Sequence, residues 1–441
     1  MAVTKALVLL NGGSSRKLLG LTLLKRIILN AHQAGIEEFW LCHKNASWTQ
    51  KTILVLSSDR RILDREIRFK TVSPEDAGQR FGQSAEDEYF LIIEDDFALD
   101  PELLPCLVNE VNQETKEIVL IENLQGDARS KLCSGMALIK RSALLDFLPV
   151  MFGSTGSGLD LLIKSIQEKP ERLRTLRVQS RFCLKVQDKK GLKRAEKLLL
   201  QTGRKPTDGF IARVINRRIS LFLTRYLLKL NITPIMMSIF TFAVGLLSVF
   251  FIGYGKELML SGALLFELAS IIDGCDGENA RLTYRVTKSG GALDVTADAV
   301  TFVSFFAALP VGLYRTTGSR LWLYLGIFAF ASMLAFYFQL INYSRKTGIG
   351  RNIVAVVKEV EASIKDPDFQ SWFDRLASKI AFVYRRDFFA TAAFVLIALG
   401  LARWTMVVVA FGAFLEAAYF ASYSRRQFKK RASDKLQPTG A

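Results

Sequence analysis

The pattern of apolar and polar positions changes character near residue 203. Beyond residue 233, apolar blocks recur at the length needed to cross a bilayer, about 20 residues of helix. They predict spans at 233–254, 258–274, 292–314, 321–343, 388–403 and 405–423. Before residue 200 the apolar runs are short. Lys5 to Leu10 reads as a strand, Asn11 to Arg16 as a glycine turn, and Leu24, Ile27, Ile28 and Ala31 as the spacing of a helix. Strands follow at Phe39 to Cys42 and at Tyr89 to Ile93, the second running into Glu94-Asp95-Asp96. Strand, turn, helix and strand predict a doubly wound α/β layout. The chain therefore reads as multi-domain: an N-terminal α/β domain over 1–202, a linker with an amphipathic helix over 203–232, an all-α membrane domain of six transmembrane helices over 233–424, and a basic tail over 425–441.

Within the linker, 203–209 is the expected hinge. From Phe210 to Leu230, Ile211, Val214, Ile215, Ile219 and Phe222 alternate at helical spacing with Arg213, Arg217, Arg218 and Arg225. This pattern suits a helix lying on a membrane surface, and equally a connecting helix between domains. No basic n-region with a long apolar stretch opens the chain, so the N-terminal domain and the active side of the membrane domain are expected in the cytoplasm, at the inner (cell) membrane.

The formal charge of +17 fits this topology. Its basic residues cluster beside the apolar blocks: Arg213, Arg217 and Arg218 before the first, Arg345, Lys346 and Arg351 after the fourth, and Arg425, Arg426, Lys429, Lys430 and Arg431 after the last. Positive-inside topology and anionic headgroups account for that placement, and with no recognition module beside the charge a nucleic-acid partner is not expected. Cys42, Cys106, Cys133, Cys183 and Cys275 show no paired spacing, which predicts a reduced protein. His32 and His43 are too isolated to propose as catalysts.

Four carboxylates then need an explanation. Asp273 and Asp276 lie three residues apart, Asp294 and Asp298 four apart, so each pair shares a helix face. One pair ends a span and the other opens the next. Acids at membrane depth cost several kcal/mol each, and like charges held together add repulsion. Divalent metal relieves both, and oxygen donors suit Mg²⁺ or Mn²⁺. Two such ions would clamp a pyrophosphate between them. Gly277, Ala280 and Gly290 are small where a nucleotide would approach helix backbone, and Arg281 offers a planar fork to a phosphate. A transporter's ion pathway also explains the acids, but not these other residues at fixed spacing.

Asp273, Asp276, Gly277, Ala280, Arg281, Gly290, Asp294 and Asp298 reproduce the D-x2-D-G-x2-A-R-x8-G-x3-D-x3-D signature, and here the chain resembles the CDP-alcohol phosphotransferases. At Thr233-Pro234, where that family usually continues with Asn, Ile235 stands instead. The resemblance covers about 205–430. It implies six membrane helices, usually in a homodimer, and release of CMP as an acceptor hydroxyl attacks the phosphorus carrying the alcohol. It further implies Asp273, Asp276 and Asp294 as metal ligands, Asp298 as metal ligand and catalytic base, and Gly277, Ala280, Arg281 and Gly290 along the CMP site. The partners implied are a CDP-alcohol donor, a hydroxyl acceptor (lipid or polyol phosphate) and the lipid bilayer.

The N-terminal domain resembles the nucleotidyltransferase domain fused to some members of that family, the bifunctional inositol-1-phosphate cytidylyltransferases. Its fingerprint is altered. Gly12 and Arg16 stand, but Ser14 replaces a glycine and no Lys-Pro follows; Lys17 and Lys25 are the nearby lysines. Asp95 or Asp96 fits one acidic position, whereas a later Asp-Val-Asp reads Lys185-Val186-Gln187. A degenerate structural domain and a working cytidylyltransferase both remain open. Arg285, Lys288, Arg345, Arg351, Arg385 and Arg386 stand near the motif, either as receivers of a phosphorylated acceptor or as positive-inside anchors. Nothing in the apolar spans separates a lipid donor from a soluble one.

Overall fold

Lys5–Leu9 (β1) and Tyr89–Glu94 (β4) are buried at almost every position, the pattern of strands covered on both faces. In the computed structural model they lie at the centre of an eight-stranded sheet. The structure describes residues 3–12, 15–43, 46–109, 116–123, 131–133, 135–152, 158–167, 170–178, 182–203, 212–230, 232–347 and 386–436. They form two compact units. The first comprises Met1–Lys205 with Arg225–Ile232 and Glu278–Arg285; the second comprises Pro206–Thr224, Thr233–Gly277 and Val286–Ala441.

The sheet of the first unit is completed by β2 (Glu38–Cys42), β3 (Arg68–Val72), β5 (Ile118–Asn123), β6 (Met136–Lys140) and β7 (Leu173–Val178), with Lys131–Leu132 paired to β5 alone. Its order is β7-β5-β6-β4-β1-β2-β3, and β6 alone among these seven runs antiparallel to its neighbours. Side chains alternate between two apolar layers: Ala6 and Val8 face Ile27 and Ile28 of helix α1 (Leu23–Gln33), while Leu7 and Leu9 join Phe81, Phe90, Leu144 and Leu162 on the other side. The doubly wound reading holds. Strand order reverses between β1 and β4, so Leu9 and its register partner Glu94 flank the crevice where such sheets take ligands.

Beyond Glu94 the chain returns as a short strand, Phe97–Leu99, paired with Cys183–Lys185. This corrects one expectation. Cys133 and Cys183 form a disulfide, their Cα atoms 5.9 Å apart after a sequence separation of 50 residues. Spacing along the chain could not show it, because the pair is brought together only once Cys183–Lys185 returns beside the sheet.

The second unit is helical. Thr233 caps α5 (Pro234–Tyr254): its hydroxyl accepts from Met236 N at 3.3 Å and proline takes the first helical position. There follow α6 (Leu258–Leu282), α7 (Lys288–Thr317), α8 (Leu321–Thr347), α9 (Arg386–Ala398) and α10 (Ala402–Leu436). Earlier in the chain lie α2 (Gly158–Gln167), α3 (Lys189–Thr202) and α4 (Arg217–Lys229). Among the described residues, α5, α6, α7, α8 and α10 are long and apolar enough to cross a membrane. The expected span at 388–403 is not confirmed. Among the described residues α9 has 13 residues and ends before Gly400, whose φ of +76° suits glycine.

Outward-facing Phe250, Ile327, Phe338 and Phe411 are each more than 60 % exposed, a surface that only lipid or another apolar partner covers without cost. The protein is a multi-pass membrane protein. On α4, Ile219, Phe222 and Tyr226 likewise form an exposed apolar stripe, in the segment expected to be amphipathic. The hinge over 204–209 and the basic insert over 348–385, with Arg351 and Arg385, lie outside the described residues.

Candidate active site

Helix α6 continues past the expected end of its span and carries Asp273 and Asp276, while α7 begins at Lys288 and carries Asp294 and Asp298. All four acids are therefore helical. What brings α7 against α5 is small residues. A Cβ added to Gly312 would lie 1.9 Å from the Ile252 carbonyl oxygen, and one on Gly245 would lie 2.7 Å from Thr301 Cγ2. Only glycine admits that backbone approach.

In the resulting geometry Asp273, Asp294 and Asp298 each place a carboxylate oxygen within 4.8 Å of the others. Two oxygens bound to one Mg²⁺ at about 2.1 Å lie at most about 4.2 Å apart, so small side-chain adjustments would seat an ion there. Three half-buried carboxylates also need positive charge near them. The donor set fits a hard divalent cation.

Asp276, the fourth expected ligand, has its own local setting. It is 5 % exposed and stands outside the three-oxygen cluster, receiving a hydrogen bond from Ser238 Oγ at 2.6 Å, with Asp294 in side-chain contact. Ser238, Thr241 and Phe242 of α5 and Thr301 of α7 join Asp273, Asp294 and Asp298 around one cleft. Ser238 and Thr241 were missed in the sequence. Along α5 they are two of three serine or threonine side chains in a mostly apolar span, Ser248 being the third, and the span alone does not say which of them meets the acids.

The remaining motif residues have other local settings. Gly277 ends the part of α6 belonging to the second unit, while Ala280 and Arg281 belong to the first. There Arg281 donates to the Gly203 carbonyl at 2.6 Å, and Asn279 to that of Ile232 at 2.7 Å. Tyr284 is 6 % exposed in the sheet's apolar core; Arg26 lies over its ring and donates to the Leu282 carbonyl at 2.7 Å. The Gly290 amide donates to Thr287 Oγ1, the N-cap of α7.

At the crevice of the first unit, Asn11 N donates to Asp95 Oδ1 at 2.7 Å, and Leu159 N at the start of α2 donates to Glu94 Oε1 at 3.2 Å. Burial raises the Asp96 carboxyl to about 6, Lys185 opposing and Glu94 and Asp95 adding to the rise. Burial lowers the Lys185 ammonium, but Glu94, Asp96 and Asp160 outweigh it, leaving it above its ordinary range. Gly12 adopts φ +88°; Gly13 and Ser14 lie outside the described residues. Lys25 is engaged with Asp59 at 2.8 Å, and a ring nitrogen of His32 with the Ile36 carbonyl at 3.0 Å, so both have structural roles.

Residues 231–365 match the sequence model of the CDP-alcohol phosphatidyltransferase family. All eight motif positions fall within that segment. Curated relatives are similar over part of their length. A protein named bifunctional IPC transferase and DIPP synthase from Thermococcus kodakarensis is 34 % identical over 177 residues, 40 % of this chain and 38 % of that one. One of the same name from Aquifex aeolicus is 32 % identical over 152 residues, 34 % of this chain and 35 % of that one. The matched part thus spans little more than a third of either relative. Among solved structures, the 4-diphosphocytidyl-2C-methyl-D-erythritol synthase of Anaerococcus prevotii aligns with 45 % of this chain and 98 % of its own, at 9 % identity and TM-score 0.33. The inositol-1-phosphate CTP transferase of T. maritima aligns with 45 % and 97 %, at 12 % identity and TM-score 0.31.

Proposed function

We propose that this chain is an integral-membrane CDP-alcohol phosphotransferase, moving a phosphoalcohol from a CDP-alcohol to a hydroxyl acceptor with release of CMP. The observation that carries the reading is the convergence of Asp273, Asp294 and Asp298 on one cleft within the matched segment. In this reading those three, with Asp276, hold two divalent ions, Mg²⁺ or Mn²⁺. Bound there, the ions supply charge neutralisation for the pyrophosphate and for the departing CMP.

The chain's own groups supply the rest. Asp298, half-buried on the cleft wall, takes the proton of the acceptor hydroxyl as its oxygen bonds to the phosphorus carrying the alcohol. The bond from that phosphorus to the CMP phosphate oxygen breaks, and CMP leaves with the electron pair. Ser238 orients Asp276. Arg281 exchanges its backbone partner for a phosphate, and Gly277, Ala280 and Gly290 admit the cytidine nucleotide close to helix backbone. The acceptor is a lipid or polyol phosphate, the enzyme a homodimer of the inner membrane with its active side and N-terminal domain in the cytoplasm, and α4 lies on the membrane surface through its apolar stripe.

A second reading, in which the N-terminal domain also makes the CDP-alcohol from CTP, is favoured by the word bifunctional in the names of both relatives. Protein reconstituted in nanodiscs is to be given Mg²⁺ and a panel of CDP-alcohols and acceptors. Acceptor-dependent CMP release that disappears in Asp294→Ala is expected; CMP release surviving that substitution with every donor refutes the assignment.

A further inference from the structure

The crevice at the C-terminal ends of β1 and β4 collects acid. Glu94 closes β4, Asp95 and Asp96 follow it, and Asp160 stands in the first turn of α2. Glu94 and Asp96 are at most 7 % exposed. Carboxylates at the switch point of a doubly wound sheet are placed where a metal-bound phosphate ligand would dock. Here that place is filled from within. Lys185 Nζ lies 3.5 Å from Glu94 Oε2, 3.8 Å from Asp96 Oδ2 and 3.4 Å from Asp160 Oδ2.

Lys185 is delivered by backbone rather than by a loose side chain. Its strand Cys183–Lys185 pairs with Phe97–Leu99, placing Lys185 opposite Phe97. Val186 N donates to the Asp96 carbonyl at 2.8 Å, the disulfide ties Cys183 to Cys133, and Nζ sits 5.4 Å from the Phe97 ring centre. An ammonium set among three carboxylates is stabilised in its charged form. A divalent ion at about 2.1–2.4 Å from the same oxygens would stand almost in contact with Nζ, cation against cation, so the two exclude each other.

We propose that Lys185 is a tethered cation standing in place of a divalent metal in the ligand crevice of the N-terminal domain, which therefore binds no metal–nucleoside triphosphate. Taken with the phosphotransfer reading, on which this corollary rests, a separate cytidylyltransfer reaction must supply the donor: one that joins CTP to a phosphorylated alcohol and releases pyrophosphate.

Mn²⁺ binding decides it, measured by electron paramagnetic resonance on full-length protein in nanodiscs carrying Asp294→Asn and Asp298→Asn to silence the membrane cluster. With Lys185 present, no Mn²⁺ is expected to bind the crevice below about 1 mM, the weak end of protein carboxylate sites. Adding Lys185→Gln is expected to create one site per chain, lost again with Glu94→Gln. A bound Mn²⁺ with Lys185 in place, or no gain on its removal, overturns the proposal. Should Lys185→Gln fail to fold, unsubstituted protein given CTP, Mg²⁺ and phosphorylated alcohols decides alone: no pyrophosphate is expected, and its release overturns the proposal. Neither readout uses CMP release, so failure of the phosphotransfer reading would show separately, as absent CMP release by the unsubstituted protein.

Discussion

Replacing Ser238 with alanine tests whether Asp276 works as part of the ion site. The Ser238 hydroxyl donates to Asp276 Oδ2 over 2.6 Å, and Asp276 is 5 % exposed. A hydrogen bond to a charged acceptor contributes about 1.5–3 kcal/mol, a factor of about 10–150 in an equilibrium at 1.4 kcal/mol per decade. Removing a group that orients a metal ligand costs roughly 10–100-fold in metal affinity or activity, in the same range. The assay is CMP release across a Mg²⁺ titration. Half-maximal Mg²⁺ is expected to rise by about 10–100-fold, with a smaller effect at saturating Mg²⁺, and Ser238→Thr, which keeps the hydroxyl, is expected to restore most of it. The substitutions Ser238→Ala and Asp276→Asn should be strongly non-additive because they remove one interaction. An unchanged Mg²⁺ profile in Ser238→Ala would refute a role for Asp276 in holding the ions.

Other outcomes follow from the same geometry. Asp298→Asn is expected to lower CMP release by about 10²–10⁴-fold, the usual contribution of a general base; retention of full activity removes Asp298 from that role. Gly312→Val forces a side chain into the Ile252 carbonyl, and overpacking of about 1–3 kcal/mol or more should lower the melting temperature of detergent-purified protein, while Gly78→Val, with open space around it, should not. The Asp96 carboxyl has a folded pKa of about 6 against an ordinary ~3.9. Its contribution to stability is therefore complete below about pH 4 and lost as pH rises through 6. Hydrogen exchange of the β4 amides should show that decline between pH 4 and 6, and Asp96→Asn should flatten it. Lys185, shifted upward, contributes stability that is lost only above its ordinary alkaline range, outside this window.

The membrane motif was legible because its chemistry is local: Asp273 and Asp276 on one helix, Asp294 and Asp298 on the next, with periodicity fixing which faces they share. The doubly wound sheet was legible for a similar reason, since β1 and β4 are continuous apolar runs bounded by turn residues. What escaped depends on distance in sequence. Ser238 meets Asp276 across 38 positions, and nothing in α5 alone marks which polar side chain turns toward the acids. Cys133 and Cys183 meet only through strand return, so their spacing carried no signal. Lys185 read as a lost acidic residue; only the fold shows that its ammonium reaches Glu94, Asp96 and Asp160. The apolar run over 388–403 continues in hydropathy across Gly400, where the backbone turns out of the helix, so hydropathy alone does not mark that break.

The last turn of α6 and the residues after it, Glu278–Arg285, count among the first unit's own contacts, with Tyr284 in its core. The signature is therefore written across a structural border: Asp273 to Gly277 on one side, Ala280 and Arg281 on the other. Cutting the chain at residue 205 would not yield two self-sufficient modules. The upstream piece would lack a buried tyrosine supplied from 79 residues further on, counting from position 205 to Tyr284, and the downstream piece would carry a ring and a guanidinium made to be enclosed elsewhere. In such a chain, exchange of one half for a homologous domain has to bring along matching residues from the middle of the other half's defining motif.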